Sequence, residues 1–180
     1  MFRLVRPSIS CKEAAILYID ELVSSNSAIH GTGFLDKYLE SSTYEDWLSE
    51  IRYLEFNNDS DIVSASTFFV MDDSDYIIGM VNIRHTLNDK LLFHGGNIGY
   101  SIRPSERGNG YAKVALYLAL RECFFLGLDS VLITAEDNNI PSYKTIEALG
   151  GVLENKVLDD GKYFRRYWIN VSDSLSRFSF

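Results

Sequence analysis

The residues best placed to do chemistry lie between Gly99 and Ala112, where a predicted strand leads through a glycine-bearing turn into a long predicted helix. Backbone N–H groups in the first turn of a helix have no intrahelical acceptor and lie at the positive end of the helix dipole. Gly108 and Gly110 carry no Cβ that would block a ligand, and both can adopt positive φ. This combination predicts a cradle of amides for a phosphate or pyrophosphate.

The spacing around the second glycine distinguishes three classes of phosphate-binding loop. A P-loop needs Gly-Lys-Ser/Thr, whereas Tyr111 and Ala112 follow Gly110. A dinucleotide fingerprint, G-x-G-x-x-G/A, needs a small residue where Lys113 stands. The sequence instead contains Arg107-x-x-Gly110-x-Ala112, which matches the signature Q/R-x-x-G-x-G/A.

Together with a second segment, this signature resembles the GNAT superfamily of acyl-CoA N-acyltransferases. The second segment reads Asn139-x-x-Ser142-x-x-x-Ile146-Glu147-x-x-Gly150, which is similar to the family's N-x-x-S-x-x-x-Y-E-x-x-G. About one crossover helix separates the two segments, as in the family. The resemblance covers most of the chain. It implies a single-domain α/β fold of the GNAT type, with a mixed, largely antiparallel twisted sheet, a central parallel βαβ unit and flanking helices.

The resemblance implies that the protein binds acetyl-CoA or another acyl-CoA as a co-substrate. The backbone of Ile102 would pair with the pantetheine arm as an extra strand does, in a gap where two parallel strands splay apart. Asn139 and Ser142 would contact the pantetheine or the pyrophosphate. The pyrophosphate itself would be held by the amides of Arg107, Gly108, Asn109, Gly110, Tyr111 and Ala112.

The reaction implied by the resemblance is direct attack of an amine on the thioester carbonyl. The attacking amine must be neutral, and deprotonating a lysine-like amine at pH 7 costs about 4–5 kcal/mol. A base must therefore take the proton, and a general acid would assist the departing thiolate. A backbone amide near Ile102 is a candidate donor to the oxyanion.

The base and the acid are harder to assign, because the chain departs here from the family pattern. Ile146 stands where the family often has a tyrosine acid. Our candidate acid is Tyr143, one turn earlier on the same predicted helix. The candidate bases are His94, which precedes a predicted strand, and Glu136, at the carboxyl end of the next one.

Each of these assignments has a structural alternative. Tyr143 is one of eleven tyrosines, and a packed helix residue is the simpler interpretation. His94 could be a loop histidine beside two glycines, and Glu136 could serve only to cap the following helix. Asn139 and Ser142 also fit the pattern of a helix N-cap.

The composition restricts the class of protein further. The chain has 180 residues, of which 46% are hydrophobic, so it can form one domain with a full core. Its net charge of −8 disfavours a nucleic-acid partner, and no stretch is apolar enough to predict a membrane span. Cys11 and Cys123 are too few for a disulfide framework, which favours a cytoplasmic location. His30, His85 and His94 lack metal-ligand spacing, so we expect no metal.

The hydrophobic periodicity predicts the elements that position these residues. The helix at 111–126 is apolar on nearly every side, which predicts burial against a sheet, and its flanking strands should form a parallel, right-handed crossover unit. Thr43 and Asp46 resemble a capping box. We divide the chain into a GNAT-like domain at 1–172 and a short tail at 173–180. Predicted strands cover residues 2–6, 62–70, 76–83, 97–102, 131–135, 152–158 and 163–171, and predicted helices cover 11–23, 43–56, 111–126 and 141–149.

These observations lead to one principal hypothesis and two alternatives. The principal one is an N-acetyltransferase that moves an acetyl group from acetyl-CoA to a primary amine of a small molecule or a protein. The alternatives are a non-catalytic acyl-CoA-binding or sensing module of the same fold, and a nucleotide-binding protein. The acceptor pocket should come from residues 24–56 and the closing hairpin, and the acidic excess would draw a cationic amine towards it. The oligomeric state is left open between a monomer and a homodimer.

Overall fold

A computed structural model of the protein describes residues 1–57 and 59–178. The elements follow the predicted order closely, and short helices are added between them. The strands are β1 Arg3–Val5, β2 Ala65–Met71, β3 Ile77–Arg84, β4 Ile98–Ile102, β5 Ser130–Glu136, β6 Val152–Asp159 and β7 Lys162–Asn170. The helices are α1 Lys12–Ser24, α2 Leu35–Ser41, α3 Tyr44–Phe56, α4 Asp89–Phe93, α5 Tyr111–Phe125, α6 Ile140–Ala148 and α7 Val171–Arg177.

The strands form two antiparallel sheets. The first has the order β1-β2-β3-β4, and the second has the order β5-β7-β6. Both predicted hairpins, β2–β3 and β6–β7, are confirmed. The helices flank these sheets, so the predicted α/β architecture with a largely antiparallel sheet is also confirmed.

The two sheets meet at Asn97, immediately before β4. Its backbone N–H donates to the carbonyl of Leu132 at 2.7 Å, and its side-chain Oδ1 accepts from the N–H of Leu132 at 2.9 Å. The side chain thus takes the acceptor role that the next backbone carbonyl would have in a continuing ladder. The predicted strand–helix–strand unit β4–α5–β5 is present, but a parallel ladder between its two strands is not found in the described residues. Beyond Asn97, β4 and β5 separate and leave a gap.

Helix α5 packs across the first sheet and beside the gap, as its apolar sequence predicted. Five of its side chains are fully buried, and they join a core that includes residues from both sheets. Because small and branched side chains alternate on this face, the helix can approach the strands closely. These five side chains are Ala115, Leu116, Ala119, Leu120 and Cys123.

A second core lies on the other face of the first sheet, under α1 and α3. Its largest side chains include Tyr18, Trp47 and Phe69, all fully buried. The capping box of Thr43 and Asp46 is confirmed at the start of α3. Trp47, which lies in this core, also donates its indole N–H to the carbonyl of Gly33 at 2.8 Å, so α3 holds the segment that precedes α2.

The chain end differs from the prediction. The expected boundary at residue 172 falls inside α7, where Val171 and Ser174 are buried. Ser174 donates from Oγ to the carbonyl of Leu149 at 2.7 Å, which joins α7 to the end of α6. Residues 179 and 180 of the predicted tail lie outside the described residues. Among the described residues, no helix combines the length and apolar character that a membrane span needs.

Candidate functional site

The turn between β4 and α5 has the open form that an amide cradle requires. Gly108 and Gly110 have φ of 84° and 80°, in the left-handed region that glycine tolerates best. A Cβ on either glycine would meet no atom within 4 Å, and residues 107–110 are exposed. The turn therefore leaves free space in front of the first N–H groups of α5, where a phosphate would be favoured.

An ion pair between the buried Arg103 and the half-buried Glu21 holds the turn in place from behind. Arg103 donates from Nη1 to Glu21 Oε2 at 2.8 Å, and the N–H of Ser105 donates to Glu21 Oε1 at 2.7 Å. Arg103 also donates from Nε to the carbonyl of Ile77 at 2.9 Å. Partial burial acts to raise the pKa of Glu21, but the bonds from Ser105 and Arg103 outweigh it and lower that pKa. The sequence had not marked Arg103 or Glu21 as part of the site.

The register of β4 decides which of its backbone groups are free. The N–H of Arg103 bonds to β3, as does the carbonyl of Asn97. Since bonding direction alternates along a strand, the polar backbone groups of Ile98, Tyr100 and Ile102 face the gap. The carbonyl of Ile102 accepts from the side chain of Arg107 at 3.1 Å, so Arg107 turns back onto the strand.

The gap between β4 and β5 widens into a cavity of about 720 Å³. A volume of this size is typical of sites for small molecules. Its walls come from residues 28–37, the end of β3, residues 94–100, residues 134–142 and Phe164 of β7. Residues 28–37 and Phe164 lie in the two regions that were expected to form the acceptor pocket.

Four of the predicted site residues line this one cavity. They are His94, Glu136, Asn139 and Ser142. The predicted cradle residues, Arg107 to Ala112, lie at the N-terminus of α5 instead. The fold thus separates a cradle at the helix N-terminus from a cavity at the gap, with the free edge of β4 between them.

His94 is oriented by Asp159, which follows the predicted strand at 152–158 and was not a predicted site residue. Its Nδ1 lies 2.8 Å from Asp159 Oδ2, at the end of β6. The ring also stacks on Phe164, with centroids 3.8 Å apart. When Nδ1 carries the proton shared with Asp159, Nε2 carries the lone pair, which is the arrangement a general base needs.

Glu136 is less available as a base. Its Oε1 lies 2.8 Å from the ammonium of Lys162, across the β5–β7 pair. The hydrogen bond to Glu136 raises the pKa of Lys162. Protonation of the Glu136 carboxylate would weaken its ion pair with Lys162.

Tyr143 is not among the described residues that line the cavity. Its ring packs against the core, and Arg165 Cζ lies over the ring, 3.9 Å from its centroid. Arg165 in turn bonds to Asp137 at 2.5 Å. Ile146, at the position of the family tyrosine, is fully buried in the core. The packing interpretation of Tyr143 accounts for this placement, and a role as acid does not.

Tyr100, which the sequence had not marked, places its phenol in the cavity wall. Its hydroxyl lies 3.2 Å from Ser142 Oγ, across the gap on α6. Burial raises the pKa of Tyr100 to about 12. Its place on the predicted strand that leads into the glycine-bearing turn is the sequence signal that could have identified it.

Asn139 and Ser142 combine a structural and a site position. Asn139 Oδ1 accepts from the N–H of Ser142 at 3.3 Å, so it caps α6 as the structural alternative predicted. Ser142 uses its hydroxyl for the contact with Tyr100. Both residues still line the cavity.

The segment before α2 closes the cavity on the side opposite α5. Ser101 donates from Oγ to the carbonyl of His30 at 2.6 Å, and Tyr18 bonds to the same Oγ at 2.8 Å. Gly31 lies directly on β4, because a Cβ there would come within 2.4 Å of the carbonyl of Gly99. Burial lowers the pKa of His30, so this imidazole is neutral at pH 7.

Comparison with known proteins agrees with this geometry. An acetyltransferase (GNAT) domain model matches residues 14–152. A search of the curated proteins found no match.

Solved structures with the same fold include several acetyltransferases. RimJ from Mycobacterium smegmatis, in complex with CoA-disulfide, is 17% identical with a TM-score of 0.67, over 98% of this chain and 87% of that chain. A spermidine N-acetyltransferase chimera from Vibrio cholerae and hSSAT is 17% identical with a TM-score of 0.66, over 98% and 99%. A ribosomal-protein-S5-alanine acetyltransferase from Vibrio fischeri is 19% identical with a TM-score of 0.64, over 96% and 93%. The chain belongs to the GNAT family of acetyltransferases.

Proposed function

We propose that the protein transfers an acetyl group from acetyl-CoA to a primary amine. The observation that carries this proposal is the arrangement along β4, which has an open amide cradle at one end and a cavity at the other. Three proteins of similar fold support it. One is in complex with CoA-disulfide, and the other two are named as acetyltransferases of spermidine and of a ribosomal-protein alanine. Because Cys11 and Cys123 are both free, we keep the cytoplasm as the proposed location.

The residues along this path suit the co-substrate. The N–H groups of residues 107–112 would hold the pyrophosphate, since the space in front of Gly108 and Gly110 is open. The backbone N–H and carbonyl of Tyr100 and the N–H of Ile102 would pair with the pantetheine arm, since the carbonyl of Ile102 already accepts from Arg107. Asn139 and Ser142 would contact the arm from the opposite wall.

His94 is the proposed base. Its Nε2 would take the proton from the attacking amine, while Asp159 holds the ring and stabilises the imidazolium that forms. Glu136 remains the second candidate, although its pairing with Lys162 makes it less available.

Tyr100 is the proposed acid, in place of Tyr143. A phenol whose pKa is raised to about 12 stays protonated at pH 7 and can donate to a departing thiolate. In the complete step the nitrogen–carbon bond forms, the carbon–sulfur bond breaks, the amine proton goes to His94 and CoA leaves as a thiolate that accepts a hydrogen bond from the Tyr100 phenol. A free backbone N–H on the same edge of β4, near Ile102, is the candidate donor to the oxyanion.

One observation favours a non-catalytic acyl-CoA-binding module as the second candidate. Ile146 is apolar and buried where the family often has its tyrosine acid. In that case the cradle and the free edge of β4 would hold the ligand, and no group would be needed to drive the thiolate out.

Thiol release from acetyl-CoA, followed with a thiol reagent across a broad panel of amines, distinguishes the two candidates. We expect at least one amine to release free CoA well above the rate of hydrolysis, in parallel with acetylation detected by mass. Calorimetry with CoA should show binding in either case. Binding without release for every amine between about pH 6 and pH 9 would contradict the transferase and support the binding module.

A further inference from the structure

Arg84, at the end of β3, lines the cavity next to the proposed reaction site. It donates from Nη1 to the carbonyls of Gly95 and Gly96, both at 3.2 Å. These two bonds hold the guanidinium beside the start of β4. Its Nη2 lies beside Gly99, where a Cβ would meet it at an ordinary contact distance of 3.4 Å.

Arg84 differs from the other arginines that are not exposed. Arg103 lies 2.8 Å from a carboxylate of Glu21, and Arg165 and Arg166 lie 2.5 Å and 2.6 Å from carboxylates of Asp137 and Glu154. Within residues 1–57 and 59–178, Arg84 has no ion-pair partner. Burial lowers its pKa, which reflects the cost of keeping a cation away from water without a counter-charge.

The two carbonyl bonds use only one of the three guanidinium nitrogens. The N–H groups of Nε and Nη2 have no hydrogen-bond partner in the described part of the chain. A guanidinium held in this way is pre-organised for a carboxylate, because two of its parallel N–H groups match the two oxygens.

Elsewhere the cavity wall also carries negative charge. Its wall carries two carboxylates, Asp36 and Glu136, together with the cations Lys37 and Arg84. The net charge of −8 is therefore not concentrated in the cavity. The His30 ring lies within electrostatic reach of Glu136, Arg84 and Asp36, so both signs of charge surround one region.

From this arrangement we infer that Arg84 binds a carboxylate of the acceptor, and that the acceptor is a small amine carrying its own carboxylate, as an amino acid does. This inference rests on the proposed acetyl transfer. The ammonium group would approach Glu136 and His94, and the carboxylate would bind the free edge of the Arg84 guanidinium. A lysine side chain or an N-terminal amine within a protein lacks that adjacent carboxylate.

The test compares L-amino acids with their carboxamides as acceptors, in the wild type and in Arg84→Gln and Arg84→Lys. We expect Arg84→Gln to lower kcat/KM for the acids at least about 30-fold relative to the amides, mainly through KM. Arg84→Lys should fall between the two, since it keeps the charge without the planar fork. The matched control is Arg52→Gln, an exposed arginine on α3 outside the cavity, which should leave the acid-to-amide ratio unchanged.

Calorimetry on the CoA-bound protein separates this inference from the proposed function. Tighter binding of the acids to wild type than to Arg84→Gln would support the carboxylate site even if no amine were acetylated. The inference would be overturned if both acids and amides were acetylated and Arg84→Gln left the ratio of their kcat/KM values unchanged. The proposed transferase activity would then still stand. An equal loss for acids and amides would also overturn it, since a role limited to holding Gly95 and Gly96 affects both alike.

Discussion

His94 Nδ1 lies 2.8 Å from Asp159 Oδ2, although the two residues are 65 positions apart in the chain. One residue precedes β4 and the other ends β6, so the contact joins the edge of the first sheet to the closing hairpin. It gives the cavity an imidazole with a fixed ring and one nitrogen free for a proton.

The first prediction concerns this pair. His94→Gln should lower kcat by about 10²- to 10⁴-fold, as expected for a lost general base. Asp159→Asn should lower kcat at least about 10-fold while the Kd for CoA stays the same, because the carboxylate acts through His94. Steady-state kinetics and calorimetry measure both effects.

The neighbouring residue provides the control for that pair. Asp160 lies on the same turn and is exposed, so Asp160→Asn removes the same charge without touching His94. Equal losses in Asp159→Asn and Asp160→Asn would mean that the charge of the hairpin, and not the contact with His94, is responsible.

The second prediction tests the cradle. Gly110→Glu should weaken CoA binding at least about 100-fold, because the side chain fills the open space and adds negative charge where phosphates would lie. Calorimetry with CoA measures the loss.

Gly127 provides a matched control at the other end of α5. It has φ of 76° and the same open surroundings. Gly127→Glu should lower the free energy of unfolding about as much as Gly110→Glu does, by about 1–2 kcal/mol, because both put a side chain on a residue in the left-handed conformation. It should leave the affinity for CoA unchanged. The cradle assignment is wrong if both variants bind CoA like the wild type.

The third prediction compares two tyrosines. Tyr100→Phe should reduce kcat about 10-fold or more with little change in the Kd for CoA, because it removes the hydroxyl placed in the cavity wall. Tyr143→Phe should leave kcat nearly unchanged, since the ring that contacts Arg165 remains. The opposite result, with loss only in Tyr143→Phe, would restore Tyr143 as the acid.

The fourth prediction concerns pH and the ion pair behind the cradle. The pKa of Glu21 is lowered in the folded protein, so its stabilising effect is present above its ordinary value of 4.5 and is lost as the pH falls through the lower folded value. Glu21→Gln should therefore lower Tm at pH 7, and the difference from wild type should shrink as the pH falls below 4.5 and through the lower folded pKa.

Thermal denaturation across this pH range checks the sign. Glu13→Gln, an exposed position on α1, is the control and should change Tm little at any pH. A difference between Glu21→Gln and wild type that grows on acidification would contradict the assigned direction.

Local patterns predicted the long elements well. The continuous apolar face of α5, the Thr43–Asp46 capping box and the two hairpins all appear where the periodicity placed them. The helices α2, α4 and α7 did not show in the pattern, because each spans seven residues or fewer and depends on tertiary contacts.

Only part of the site was predicted, because sequence patterns report on residues that are close together in the chain. The cradle could be recognised because its glycines and its N–H groups belong to one short stretch of chain. The contacts of His94 with Asp159 and of Ser142 with Tyr100 depended on partners that only the fold supplies. The ring of Tyr143 is covered by the guanidinium of Arg165.

The sequence by itself determined the family, the order of the long elements and the open glycine-bearing turn before α5, since each depends on residues close together in the chain. Only the tertiary structure decided where β4 and β5 part, because Asn97 closes their pairing with its own side chain. It likewise decided that Asp159 orients His94 and that Arg84 has no counter-charge among residues 1–57 and 59–178. These relationships join residues from different elements of the fold, and the contacts form only once the two sheets have packed against α5.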